Sequence, residues 1–320
     1  MTPQPKKNAS SSSKSLAMLI DEPLQKEPIR IYLRLRPFNK FERTRRSINC
    51  VSADTPHVDI VKEGMDNNIG GEKIKINSPL DGEFNFVFDK IFREDSTQIS
   101  LYKHIVTPFA THALEGYNCA LIAYGQTGSG KTHTMMGCGQ TKSKRQLGIE
   151  KELGLIHLLI KDLFHQIKIS PPTVEYIVRC SFVEIYLEKV LDLLNPTNRI
   201  IQIMSSSNNE GVTLDGLSEA CCFDESDVVS LLMRGNACRT VSSTKMNTDS
   251  SRSHAIFILK IEQKDNSSGI SKVSQVRMID MAGSELSGKV VEDSAGAAIH
   301  HESMMINKSI SWLHSVIEKP

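Results

Sequence analysis

The sequence predicts an α/β fold, an open twisted sheet that is mixed but mostly parallel and has helices on both faces. Two observations predict it. Short apolar or alternating runs, typical of strands, follow one another along the chain, and stretches with apolar residues at helical spacing separate them. The apolar run at 118–124 leads directly into a glycine-rich loop, the usual ligand-binding position at the carboxyl end of a strand.

Composition is that of an ordinary globular protein, with 39% hydrophobic and 23% charged residues in a chain of 320. The net charge of +1 favours neither a nucleic acid nor a membrane surface as partner. No apolar run approaches the ~20 residues that a membrane-spanning helix needs. The seven cysteines have no CxxC or Cys/His metal spacing, so we expect free thiols and a reducing cytosol.

The chain begins with a serine- and lysine-rich stretch, residues 1–28, which we expect to be a disordered leader. Alternation at 29–36 predicts a half-exposed strand that Pro37 ends. Arg34 and Arg36 lie on one side of it, either as a solvated face or as the lip of an anion-rich site. Alternation at 84–88 predicts another strand.

Helices are predicted at three places by the spacing of apolar residues. Residues 97–115 form the first, with a kink at Pro108 and Gly116 as its C-cap. Residues 153–167 form a core helix. Asp224 is expected to cap a third helix that runs to about Asn236.

The remaining elements of the second half are mostly strands. The β-rich run at 173–194 predicts a strand followed by a helical turn, and turn residues at 205–209 predict a hairpin within 200–216. Residues 253–263 and 272–280 predict two strands joined by a polar loop.

Residues 125–132 fit the phosphate-binding pattern of two glycines four residues apart, followed by Lys and Ser/Thr. Glycines let backbone amides turn toward phosphate oxygens, Lys131 supplies a positive charge, and the Thr132 hydroxyl is a Mg²⁺ ligand. The residues expected to bind the nucleotide are Gly125, Gln126, Thr127, Gly128, Ser129, Gly130, Lys131 and Thr132.

Two more loops suit a nucleotide-dependent switch. Residues 247–254 crowd hydroxyls and Arg252 into one loop before a strand, and hydroxyls that bond a γ-phosphate and Mg²⁺ order such a loop. Residues 280–285 follow the last strand, where Asp280 is placed to hold Mg²⁺ and Gly283 to bring its amide to the γ-phosphate. Arg252 and Glu285 have opposite charge, and a bridge between them would close both loops around the nucleotide.

Each of these loops alone also fits a polar turn. The DxxG pattern at Asp280–Gly283 further fits a GTPase, but the guanine motif NKxD is incomplete, because Ile310 stands where its Asp belongs. Myosins share the switch logic but differ in the phosphate loop.

Taken together, the motifs resemble a kinesin motor domain over residues 29–318. In that family the first Arg and the Pro of RxRP and the His after the phosphate loop frame the adenine, which implies Arg34, Pro37 and His133 here. The matching segments are 34–37, 116–118, 125–135, 247–254, 280–285 and 306–309.

The resemblance implies ATP and Mg²⁺ as cofactors and microtubule-stimulated ATP hydrolysis in the cytoplasm, on the microtubule cytoskeleton. It implies catalytic roles for Ser250, Ser251, Arg252, Gly283 and Glu285. It implies Thr132, Ser251 and Asp280, the last through water, as Mg²⁺ ligands. The implied partner is tubulin, with no nucleic acid, no membrane insertion and dimerisation through downstream segments.

The resemblance also implies that residues 29–320 form one motor domain and that 299–317 form its relay helix, after which the chain ends before the last strand and helix. Loops expected to face acidic tubulin carry few cations, which predicts a weaker encounter. The alternative is therefore a non-motile nucleotide-binding relic or a regulatory microtubule-associated module.

Overall fold

The computed structural model describes residues 29–53, 71–79, 82–137, 153–197, 201–205, 212–245, 250–285 and 294–318, with the backbone alone at 53, 241–245, 250 and 294–303. The expected leader, 1–28, lies outside the described residues. Contacts divide the chain into two compact units, Met1–Arg93 and Glu94–Pro320. The expectation of one domain over 29–320 stays a prediction.

The first unit contains two small sheets and a short helix. Strand β1 pairs in parallel with β5, and β2, β3 and β4 form an antiparallel sheet. The strand expected at 29–36 is shorter than predicted, although the Leu35 amide still bonds to the Phe92 carbonyl across 2.8 Å. The elements are β1 (Tyr32–Arg34), α1 (Lys40–Thr44), β2 (Val51–Ala53), β3 (Glu72–Ser78), β4 (Gly82–Phe88) and β5 (Lys90–Phe92).

The second unit is built on a six-stranded sheet in the order β11-β7-β12-β13-β6, with β8 paired to β7. The strands of this unit are β6 (Cys119–Ala123), β7 (Val174–Tyr186), β8 (Lys189–Asp192), β9 (Gln202–Ser205), β10 (Val212–Asp215), β11 (Ala220–Cys222), β12 (His254–Asp265) and β13 (Ser271–Asp280). Strands β9 and β10 form the predicted hairpin, whose turn lies outside the described residues.

The sheet is mixed, as predicted, but the expectation that it is mostly parallel is wrong for the described strands. Among these six, β13 and β6 pair in parallel, and the other described pairings are antiparallel. For two of the antiparallel pairings the reason is connection length. Strands β12 and β13 are joined by the loop 266–270 and β7 and β8 by two residues, and such short links can only reverse the chain.

The predicted helix at 97–115 is interrupted before Pro108. It consists of α2 (Gln98–Leu101), a π-helical turn (Tyr102–Val106) and α3 (Thr107–Glu115), with Gly116 as a left-handed cap at φ 101°. Proline lacks an N–H and its ring crowds the carbonyl four residues earlier, so the hydrogen-bond ladder shifts to wider spacing there. The kink is confirmed, and its form is a π turn.

Two predicted boundaries in the second half are wrong. Residues after β7 form a hairpin with β8 instead of a helical turn, with Leu187 and Glu188 at φ 49° and 62° in a tight turn. The helix expected to end near Asn236 continues as α6 (Glu225–Lys245). Asp224 does cap its start, where its Oδ1 accepts from the Asp227 amide across 3.0 Å.

Helices lie on both faces of the sheet. Phe182, Phe257 and Met278 align across β7, β12 and β13 on the buried face, and the two rings meet edge-on at 5.6 Å. Ser274 on this face donates to the Ala113 carbonyl of α3. On the opposite face His254 contacts the last helix, α7. The remaining helices are α4 (Lys131–Met136), α5 (Leu155–Ile169) and α7 (Ser294–Glu318), and no described helix is long and apolar enough to cross a membrane.

Candidate functional site

The glycine-rich loop lies where the sequence predicts it, between β6 and α4. Gly128 and Gly130 adopt φ of 77° and 101°, a region that side chains rarely enter. The Ser129 amide donates to the Gln126 carbonyl across 3.1 Å, which closes the turn. The loop therefore has the backbone that a phosphate cradle requires.

Lys131 and Thr132 begin α4 and point back to the loop and the sheet. The ammonium of Lys131 donates to the Gly125 and Gln126 carbonyls at 2.8 and 2.9 Å. Burial lowers the pKa of Lys131 against the opposing influence of Asp280 and Glu285. The Thr132 hydroxyl donates to Asp280 Oδ2 across 2.7 Å.

The loop after β13 runs beside the glycine-rich loop. The Ser284 amide donates to the Gly125 carbonyl across 3.1 Å, and the Thr127 amide donates to Glu285 Oε2 across 2.7 Å. A Cβ at Gly283 would lie 2.3 Å from the Thr127 hydroxyl oxygen, so a larger residue there would have to displace the side chains of Thr127 and Glu285. The predicted neighbourhood of 125–132 and 280–285 is confirmed.

The contact with the Thr127 amide affects the pKa of Glu285. Burial raises its pKa, but hydrogen bonds with Thr127 and the charge of Lys131 outweigh burial, and the net pKa is below the ordinary value. Glu285 is therefore a carboxylate at neutral pH, and it bonds to an amide that a phosphate oxygen would also use.

The serine-rich loop is described from residue 250. Ser250–Arg252 forms a short 3-10 turn, and the Ser251 carbonyl accepts from the Gly283 amide across 2.7 Å. This bond joins the two predicted switch loops directly. The side chain of Ser250 and residues 247–249 lie outside the described part. The bridge from Arg252 to Glu285 stays a prediction.

Arg239 is a central residue that the sequence did not indicate. It extends from α6, is 2% exposed, and donates to Asp280 Oδ2 across 2.9 Å and to the Ser253 carbonyl across 3.0 Å. Its Nε lies 3.6 Å from Glu184 Oε1, which accepts from the Ser253 hydroxyl at 2.6 Å. The positive charge of Arg239 thus offsets the negative charges of two buried carboxylates, and its side chain connects three strand ends. No local sequence pattern distinguishes it from a surface arginine.

The two carboxylate oxygens of Asp280 have different surroundings, which bear on a Mg²⁺ site. Oδ2 of Asp280 accepts from Thr132 and Arg239, whereas its buried Oδ1 has no hydrogen-bond partner among the described residues. A buried carboxylate oxygen without a donor fits a ligand that brings one, such as a metal-bound water. Asp280 and the Thr132 hydroxyl therefore fit Mg²⁺. No group of three or more metal-ligating side chains occurs in the part of the chain that the structure describes.

The residues expected around the adenine belong to different units. Arg34 ends β1 and Pro37 follows it in the first unit. His133 belongs to α4 in the second unit, where its carbonyl accepts from the buried Gln98 amide across 2.6 Å. Their joint role around the adenine stays a prediction.

Several known proteins have chains similar to this one. The family model of the kinesin motor domain matches residues 34–319. Kinesin-related protein 3 of Dictyostelium discoideum is 33% identical over 289 residues, and the kinesin heavy chain of Syncephalastrum racemosum is 35% identical over 289 residues. Both alignments cover 90% of this chain but only 22% and 28% of those proteins, so this chain spans less than a third of their length.

A solved structure of a fast kinesin is 31% identical, with a TM-score of 0.74 over 88% of this chain and 72% of that one. The family match covers nearly the whole chain, and sequence and fold similarity extend over the same region. This chain therefore belongs to the kinesin motor domain family.

Proposed function

We propose that this chain is an ATP-hydrolysing motor domain that couples hydrolysis to microtubule binding and movement in the cytoplasm. The observation that carries the proposal is the convergence of the glycine-rich loop with Asp280 and Glu285 at one edge of the sheet. Phosphoryl transfer needs little covalent chemistry from a protein, and a site that positions charges around a γ-phosphate can perform it.

The residues divide the work as follows. The loop amides and Lys131 bind the phosphates of ATP, and Thr132 with Asp280 holds Mg²⁺, directly and through water. Bound Mg²⁺ supplies charge that stabilises the phosphates as they part. The Gly283 amide, now bonded to Ser251, turns to the γ-phosphate.

The two switch loops, 247–254 and 280–285, provide the groups for hydrolysis. Ser250 and Ser251 contact the γ-phosphate and the metal. Glu285 leaves the Thr127 amide when phosphate takes its place, and it pairs with Arg252. That pair orients the attacking water, so that catalysis is positioning and charge stabilisation with no covalent intermediate.

One observation favours the alternative, a non-motile module that binds nucleotide. Lys308, the cation nearest to the middle of α7, pairs with Glu188 across 2.7 Å. A cation already paired within the chain attracts an acidic surface less than a free one does. Such a module would bind ATP without stimulated turnover.

Phosphate release by the full-length protein, with and without microtubules, tests the proposal. We expect microtubules to increase turnover, and Lys131→Ala to abolish tight ATP binding, whereas Lys161→Ala on α5 leaves both unchanged. ATP binding without stimulation would support the alternative. An unchanged ATP affinity of Lys131→Ala would refute the phosphate-loop assignment, and preference for GTP in competition would indicate a GTPase.

A further inference from the structure

We infer that His254 is a positioning residue that ties the loop after β13 to α7, so that a nucleotide-driven movement of that loop reaches the helix through Ser309. The inference rests on the proposed function, because it names the side chain that connects the nucleotide site with the helix. We call Ala282, His254, Ser309 and Ile306 the histidine bridge.

The histidine bridge is a continuous chain of three hydrogen bonds. The Ala282 amide donates to His254 Nδ1 across 3.1 Å. His254 Nε2 lies 2.7 Å from the Ser309 hydroxyl oxygen. That hydroxyl lies 2.7 Å from the carbonyl oxygen of Ile306, which stands three residues earlier on α7. One side chain thus contacts a switch loop on one side and a helix on the other.

The donors and acceptors allow one arrangement of protons. The Ala282 N–H can only donate, so Nδ1 of His254 accepts and carries no proton. The Ile306 carbonyl can only accept, so the Ser309 hydroxyl donates to it and its oxygen accepts from Nε2–H. His254 is therefore neutral, with its proton on Nε2, and both of its nitrogens are satisfied.

The surroundings keep His254 in this form. Ala282 is fully buried and His254 is 7% exposed. Burial, helped by the charge of Arg239, lowers the pKa of His254 to about 4. Strand β12, which holds His254, pairs on both sides with β7 and β13, so the ring stands on a rigid base.

The position of Ala282 makes the histidine bridge sensitive to the nucleotide. Ala282 lies between Asp280 and Gly283 in the chain. The Asp280 carboxylate fits a metal-bound water, and we assign the Gly283 amide to the γ-phosphate. A displacement of about 1 Å would take the Ala282 bond beyond hydrogen-bonding length. Loss of that bond frees the imidazole to turn, and Ser309 then loses its fixed partner. The ion pair from this part of α7, Lys308 to Glu188, is exposed and correspondingly weak.

The chain contains its own reporter for the test. Trp312 is the single tryptophan, lies three residues after Ser309 on α7, and is 63% exposed. Its emission, recorded on this chain or on the full-length protein with any other tryptophans replaced, follows α7 when Mg²⁺ with ADP or with a non-hydrolysable ATP analogue is added. A fluorescent nucleotide measures affinity in the same samples.

Two variants break the same bond from opposite sides. In His254→Asn the amide oxygen occupies the place of Nδ1 and keeps the Ala282 bond but does not reach Ser309. Ser309→Ala removes the hydroxyl. Ser311→Ala is the matched control, because Ser311 lies on the same helix and its hydroxyl donates to the Asn307 carbonyl four residues back.

We expect nucleotide affinity to change by less than about twofold in all variants. We expect the Trp312 response to fall about fivefold or more in His254→Asn and Ser309→Ala, to fall no further in the double variant, and to persist in Ser311→Ala. A wild-type response of zero, a full response in either bridge variant, or an equal loss in Ser311→Ala would overturn the inference. So would additive losses in the double variant.

Two further results separate the possible failures. No nucleotide binding by the wild type would refute the proposed function itself. Nucleotide binding with an unaltered Trp312 response in the bridge variants would refute the histidine bridge alone. If His254→Asn does not melt cooperatively, Ser309→Ala decides, because Ser309 is only half-buried. In addition, the imidazole ¹⁵N shifts of the wild type should show a protonated Nε2 and a bare Nδ1, and the opposite tautomer would contradict the inference.

Discussion

The backbone amide of Thr127 donates to the Glu285 carboxylate across 2.7 Å and so joins the glycine-rich loop to the loop after β13. A phosphate oxygen in the loop needs the same amide. In the proposed function phosphate and Glu285 therefore compete for one donor, and arrival of the nucleotide would release the carboxylate. This exchange would link nucleotide binding to the movement of Glu285.

Glu285→Ala should preserve ATP binding and block turnover. The change removes the competitor for the Thr127 amide, so affinity is maintained or increased, while the loss of a group that positions water and protons lowers kcat by about 10² to 10⁴. Fluorescent-ATP binding and phosphate release measure the two effects. Glu219→Ala, an exposed partner of Lys260, is the control, and normal turnover of Glu285→Ala would contradict the role.

Asp280→Asn should weaken the Mg²⁺ dependence of nucleotide retention. An amide has no negative charge for the metal water and leaves Arg239 without one of its two buried carboxylates. We expect the free Mg²⁺ needed for half-maximal retention of a fluorescent ADP to rise about tenfold or more. We also expect a stability loss of about 3 kcal/mol by urea unfolding, since a buried charge loses its partner.

Asp162→Asn serves as the control for Asp280→Asn, because Asp162 accepts from the Tyr102 hydroxyl away from the site. It should leave the Mg²⁺ titration unchanged. An unchanged titration in Asp280→Asn would show that this carboxylate does not act on the metal.

Gly235→Ala should destabilise the protein although it lies within a helix, where alanine is usually favoured by about 1 kcal/mol. A Cβ there would lie 2.3 Å from Phe182 Cδ1. Overpacking of this kind costs about 1 to 3 kcal/mol, and urea unfolding measures it. Adding Phe182→Leu should recover part of the loss, and a stabilised Gly235→Ala would contradict the packing.

Stability should decline as pH falls from 7 to 5 because of His254. Its folded pKa of about 4 lies below its ordinary 6.5, so the unfolded chain binds the proton first and its free energy falls relative to that of the folded chain as the pH decreases. The expected loss at pH 5 is about 2 kcal/mol, and the loss from this group is complete below pH 4. Urea unfolding at several pH values should show a flatter profile for His254→Asn, and equal slopes would contradict the assignment.

Much of the site was predictable because its signal is local. Gly128, Gly130, Lys131 and Thr132 are consecutive or nearly so, and their roles depend on the backbone that this spacing allows. The same holds for the strand β6 before them and the helix α4 after them. The order of the three loops also predicted that Asp280 lies near Thr132.

The predictions failed where the pattern was ambiguous over a short range. A helical turn was predicted where Leu187 and Glu188 form a hairpin turn. Both residues have positive φ, but neither is a glycine, which would have indicated such a turn in the sequence. The helix was predicted to end near Asn236, whereas α6 continues to Lys245. Gly235 has a poor helix preference, but it fits against Phe182. In both cases tertiary packing compensates for a poor local preference.

The sequence alone determined the phosphate loop, several of the strands and helices and the family resemblance, since each depends on residues close together along the chain. Only the tertiary structure decided that Arg239 connects Asp280 with Glu184, that Glu285 bonds to Thr127, and that His254 reaches Ser309. Along the chain these partners are separated by between 41 residues, for Arg239 and Asp280, and 158 residues, for Thr127 and Glu285. Such contacts follow from how strands align in the sheet, and a single chain pattern records the alignment only indirectly.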